Sequence, residues 1–75
     1  MLTIGQAARI TGVPTHTLRA WERRYGAFQP TRTPGGYRTY DDDSLMRIRA
    51  MRDLVAGGMS ASDAAGVVSA LGPAT

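Results

Sequence analysis

Nine arginines and no lysine supply the side-chain positive charge of this 75-residue chain. Arginine presents a planar fork of N–H donors that matches a phosphate or carboxylate edge, so its placement indicates where an anion can be met. Residues 1–40 hold Arg9, Arg19, Arg23, Arg24, Arg32 and Arg38 against Glu22 alone, a balance of +5. Residues 41–75 hold Arg47, Arg49 and Arg52 against Asp41, Asp42, Asp43, Asp53 and Asp63, a balance of −2. The front half reads as a cationic surface and the back half as a slightly acidic support. That split points to a polyanionic partner.

Other chemistries find little to work with. The chain has no cysteine, which excludes disulfides, thiolate metal ligands and cysteine nucleophiles, and fits a reducing cytoplasm. His16 is the only histidine and has no acid or nucleophile in a motif beside it. Asp41-Asp42-Asp43 would need further oxygen ligands at loop spacing to hold a metal, and none follow. At the start of a helix the same run caps the backbone and complements the helix dipole, which is the preferred reading. Neither an enzyme nor a metal site is expected. No apolar run approaches the ~18 residues of a membrane span, and the start does not read as a signal peptide.

Seventy-five residues make one domain with a thin core. Thr3 and Gln6 form a capping box that starts a first helix at Ile4, with Ile4, Ala7, Ala8 and Ile10 as its apolar positions. Gly12 and Pro14 break it. A second helix is expected over residues 15–25, stopped by Gly26. Leu18, Trp21 and Tyr25 share one face, His16, Arg19 and Arg23 a neighbouring one, and Arg24 lies beside them. Two short helices across a tight glycine turn are found in any small bundle, but they are also the helix-turn-helix. The arginine and histidine face favours the DNA-binding version, because base contacts come from that helix.

Residues 27–40 change to strand formers around the turn Pro34-Gly35-Gly36. A two-stranded hairpin is expected, with Arg32 on one arm and Arg38 on the other; beside a helix-turn-helix it is a wing. Two strands alone are marginal in water, so the wing must lean on the helices. Phe28 is assigned to the core, and Tyr37 and Tyr40 to packing against the helices. Asp41-Asp42-Asp43 opens a third helix with an apolar stripe of Leu45, Ile48, Met51, Leu54 and Val55, leaving Arg47, Arg49 and Arg52 as its solvated face. After Gly57-Gly58, Ser60 and Asp63 cap a fourth helix. Its inward residues are expected to be Ala64, Val67, Val68 and Leu71, and Gly72-Pro73 should stop it. The fold class is mainly α: four short helices and a two-stranded wing, with the helix-turn-helix over 3–26, the wing over 27–40 and a supporting helix pair over 41–72.

Two runs, Thr17-Leu18-Arg19-Ala20-Trp21-Glu22-Arg23-Arg24-Tyr25-Gly26 and Gly35-Gly36-Tyr37-Arg38-Thr39-Tyr40, resemble the N-terminal DNA-binding domain of MerR-family transcription regulators. The W-E-R-R-Y-G variant is most similar to the light- and cobalamin-responsive CarA/CarH/LitR branch. The resemblance spans about residues 2–71. It implies a winged helix-turn-helix whose second helix enters the major groove of double-stranded DNA and whose wing reaches the minor groove or its phosphates. It places Thr17, Arg19 and Trp21 where family members contact DNA, Arg38 at the wing's basic residue after Tyr37, and Thr3 where a helix N-terminus approaches a phosphate. The family usually has a capping residue where Pro14 stands, which leaves Thr15 as the candidate cap. Full-length members continue into a dimerisation helix or an effector domain. The chain is read as either a cut module or a stand-alone small protein, the cut module being preferred, with no cofactor of its own; cobalamin would belong to a C-terminal domain outside it.

The candidate DNA-contacting residues are Thr3, Thr15, His16, Thr17, Arg19, Trp21, Arg23, Arg24, Arg32, Tyr37 and Arg38. Trp21 has two readings: core packing, or a packed ring with its indole N–H turned to a phosphate. His16 either donates to a base or phosphate or is simply solvated. Glu22 is read as orienting Arg19 or Arg23 by ion pairing. The function expected is sequence-specific duplex binding in transcription control, as a repressor module in the bacterial nucleoid. It would be monomeric when free and paired on DNA, with RNA polymerase an indirect partner. Two alternatives stand beside it: a protein-interaction module engaged by an acidic antirepressor that mimics DNA, and an excisionase-like architectural factor.

Overall fold

The computed structural model describes residues 2–71. Helix α1 spans Ile4–Thr11 and begins as its capping box dictates. The Gln6 N–H donates to Thr3 Oγ1 over 3.2 Å, and the Thr3 N–H donates to Gln6 Oε1 over 2.9 Å. Gly12 closes it in the left-handed conformation, φ 75°, which a side-chain-bearing residue adopts only with strain. Helix α2 spans Thr15–Tyr25 and ends at Gly26. Pro14 itself occupies the N-cap, and its carbonyl accepts from the Thr17 and Leu18 N–H groups, both at 3.0 Å. Thr15 is the first helical residue, so the cap expected of it does not form.

The wing is an antiparallel pair, β1 (Thr31–Arg32) and β2 (Arg38–Thr39), with Arg32 opposite Arg38 and Thr31 opposite Thr39. Its base carries a contact that no sequence pattern announced. Leu2 and Tyr40 form a bridge, with Leu2 N–H donating to the Tyr40 carbonyl over 3.1 Å and Tyr40 N–H returning to Leu2 over 2.7 Å. Leu2 thus anchors the wing. Helix α3 (Asp42–Ala56) starts on Asp41, whose side chain accepts from the Ser44 N–H, and α4 (Ala61–Ser69) starts on Ser60, which accepts from the Asp63 N–H. The stop expected at Gly72-Pro73 lies outside the described residues.

One core joins all four helices and the wing: Ala7, Val13, Leu18, Trp21, Phe28, Tyr40, Ile48, Met51 and Val68 are buried in it. Phe28 and Tyr40 pack as tilted rings with centroids 6.1 Å apart. Four expectations are corrected. Ile10 is exposed, because the inward stripe of α1 runs on to Thr11, which is buried with its hydroxyl donated to the Ala7 carbonyl over 2.8 Å. Val67 and Leu71 are exposed, because α4 turns Ala64, Ala65 and Val68 inward and leaves those two on its flank. Tyr37 is 75% exposed, since it follows the turn and its ring lies beside Gly35 rather than in the core. Arg47 is only 9% exposed rather than solvated. Its Nε donates to Asp43 over 3.0 Å and its NH1 to the Val68 carbonyl over 3.0 Å, tying α3 to the end of α4. Arg52 is half-exposed, and its NH1 donates to the Thr11 carbonyl over 2.8 Å, so α3 also caps the end of α1.

Candidate nucleic-acid interface

The second helix divides its side chains cleanly. Leu18 and Trp21 enter the core, and Trp21 at 8% exposure is a packing residue first. His16, Arg19, Arg23 and Arg24 stand exposed, while Thr15 and Thr17 are half-buried at the start of the helix. His16, Arg19 and Arg23 follow one another at spacings of three and four, so they line one strip of α2 facing solvent. A helix held by its apolar side against a core, with cations and a donor imidazole on the other, is shaped to lie in a groove lined by acceptors and phosphates.

The wing brings a second set beside it. Thr3, Ile4, Arg19, Thr33, Gly36, Tyr37, Arg38 and Thr39 line an open cleft of about 420 Å³ between the start of α1, the middle of α2 and the hairpin. Four residues named from sequence, Thr3, Arg19, Tyr37 and Arg38, therefore share one site. His16, Arg23 and Arg24 lie outside that lining, on the outer strip of α2. Arg32 is exposed and folds back on its own turn, with NH1 3.4 Å from the Gly36 carbonyl. The turn is set by backbone: Gly36 N–H donates to the Thr33 carbonyl over 2.8 Å, and Thr33 N–H to the Tyr37 carbonyl over 2.9 Å. Gly36 has φ 85°, which keeps this position to glycine.

The ion pairing differs from the one expected. Glu22 engages neither Arg19 nor Arg23; its Oε2 accepts from Arg38 Nε over 2.9 Å. Arg19 and Arg23 are exposed and make no ion pair with Glu22, whereas Arg38 crosses from the wing onto α2. Glu22 and Arg38 stand 16 residues apart on different elements, so no helical spacing could have paired them. The same charges surround Tyr40, whose fully buried hydroxyl has no hydrogen-bond partner among the described residues. Burial pushes its pKa above the ordinary 10.0, the Glu22 charge adds to that, and Arg38, Arg19 and Arg32 oppose it. Among the described residues, no three of His, Cys, Asp and Glu cluster as metal ligands, and no helix is long and apolar enough to cross a membrane.

Comparison with known proteins places this arrangement. The family described as MerR HTH family regulatory protein matches residues 2–71. The chain is 44% identical over 62 residues to the HTH-type transcriptional repressor CarH of Myxococcus xanthus, a match covering 83% of this chain and 21% of that protein. It is 40% identical over 62 residues to the HTH-type transcriptional regulator MlrA of Escherichia coli K12, covering 83% of this chain and 26% of that one. Among solved structures, HiNmlR, a MerR family regulator lacking the sensor domain and bound to promoter DNA, superposes with a TM-score of 0.79 at 26% identity. That match covers 95% of this chain and 55% of that one. The chain thus spans about a quarter of the length of the curated relatives it matches. It belongs to the MerR family of helix-turn-helix regulators.

Proposed function

We propose that this chain binds double-stranded DNA sequence-specifically as the DNA-binding module of a MerR-type repressor. The observation that carries the reading is the meeting of Thr3, Arg19, Tyr37 and Arg38 in one open cleft beside the exposed His16–Arg19–Arg23 strip. In this reading α2 lies in the major groove, where His16 and Arg23 reach base edges. Arg19, Arg24 and Thr17 meet phosphates along it, as does Thr3 at the free N–H groups of α1. Thr15 approaches the backbone at the start of α2, and Trp21 packs its ring while its indole edge faces the same phosphates. The wing lays Tyr37, Arg32 and Arg38 against the minor groove and its walls, where width rather than base identity is read.

The likeness to a regulator described as bound to promoter DNA supports this reading, as does the +5 balance of residues 1–40. Promoter DNA in a bacterial nucleoid is then the partner, and RNA polymerase is affected only through it. An acidic antirepressor that mimics DNA would compete for the same arginines. The test is a gel shift with duplexes selected from a random pool, run in excess competitor DNA. A shift that survives competitor and is not matched by single strands is expected. Binding that competitor abolishes at every sequence overturns the reading.

A further inference from the structure

Glu22 is the one acid among residues 1–40, and it sits on the helix that carries the exposed arginines. On electrostatic grounds alone a carboxylate is misplaced there, because it repels the phosphates that Arg19 and Arg23 would attract. Its position has another consequence. Glu22 Oε2 and Arg38 Nε are 2.9 Å apart, and the two side chains retain only 19% and 31% exposure. The bond uses Nε; among the described residues, neither terminal nitrogen of Arg38 has a hydrogen-bond partner. The guanidinium is therefore held at its root while its outer nitrogens remain available in the cleft that it lines with Thr3 and Arg19.

The wing needs such a hold. Its strands are two residues each, too short to define their own position. The Leu2–Tyr40 bridge fastens it at the base, and the Glu22–Arg38 pair is a side-chain tie from the strand itself to α2. Resting on the DNA-binding reading above, we infer that Glu22 is a positioning residue: through Arg38 it sets the angle between the wing and α2, so that both meet a duplex in one register. The carboxylate gives up some attraction for any polyanion and in return orders an arginine that otherwise keeps its full rotamer freedom.

This has a signature that a merely structural acid lacks. Glu22→Gln removes a repelling charge and releases Arg38 at once, so its effects on random and selected duplexes should differ in sign. The experiment measures affinity for a duplex selected by the native chain and for a random duplex of equal length, with native, Glu22→Gln, Arg38→Ala and doubly substituted chains. Glu22→Gln should bind the random duplex at least as tightly as the native chain and the selected one roughly 3–10-fold more weakly, and that loss should vanish in the Arg38→Ala background. The Arg38 Nε–Hε resonance, protected in the native chain, should exchange freely in Glu22→Gln. Equal losses on both duplexes, or the same loss with and without Arg38, overturn the inference while leaving the DNA-binding reading intact. A native chain that selects no duplex sinks both. Melting followed by circular dichroism checks that each variant folds, and Glu22→Ser carries the same cycle should Glu22→Gln not fold.

Discussion

In the proposed DNA-binding reading, Arg38 and the outer strip of α2 would meet different parts of a duplex, and single substitutions should separate them. Arg38 stands on the wing and is held against α2 by Glu22; in that reading only backbone and groove width would be within its reach. Arg38→Ala should weaken all sequences by similar factors and flatten the salt dependence by about one phosphate. Arg19 lines the same cleft, and a uniform loss is expected there too. His16 and Arg23 stand on the exposed strip of α2, so His16→Ala and Arg23→Ala should change which bases are preferred. Binding-site selection on these variants reads the difference. A shift in mid-site preference for Arg38→Ala alone would mean that helix and wing are assigned to the wrong grooves. The placement of His16, Arg19 and Arg23 on one exposed strip was legible from spacing along α2, and that of Arg38 on the wing from the turn before it. Their partners were not. Glu22–Arg38, Leu2–Tyr40 and Arg47–Val68 each join distant points of the chain, and their residues carry no periodic signal of the match.

At the scale of elements, local chemistry decided the boundaries. Thr3 with Gln6, Gly12, Gly26, Asp41 and Ser60 each satisfy or terminate a helix through neighbours within a few residues, which is why they could be read directly. What each helix buries depends on the elements across from it, and that is where the expectations for Ile10, Val67, Leu71 and Arg47 failed. The cap of α3 makes a pH-dependent prediction. The Asp41 carboxylate accepts the Ser44 N–H over 2.9 Å, and that bond lowers its pKa below the ordinary 3.8. Its contribution to stability is therefore present above about pH 3.8 and is lost as pH falls through the lowered folded-state value. Asp41→Ala should cost about 0.5–2 kcal/mol near neutral pH. Asp41→Asn should keep most of the cap while flattening the acid limb of the stability curve. Thermal melts of the three chains from neutral pH downward check both; an acid limb unchanged in Asp41→Asn would contradict the assignment.

The whole molecule is a small core with its charge sorted along the chain. Residues 1–40, at +5, supply α1, α2 and the wing, and residues 41–75, at −2, supply the α3–α4 pair behind them. None of the described helices presents the long apolar seam of a coiled coil, so the 75-residue chain should sediment as a monomer at micromolar concentration. A tight dimer there would contradict that expectation. A module of this size buries only about 600–1,000 Å² on DNA, so micromolar affinity for a single site is expected. The central claim is that the sorted charge is a phosphate-binding surface. It is tested most directly by titrating the native chain against its selected duplex across a range of salt concentrations. With four to six arginines on phosphates, log K should fall against log salt with a slope of about −4 to −5. A slope near zero would contradict the account, because it would mean that the arginines of α2 and the wing do not meet the DNA backbone.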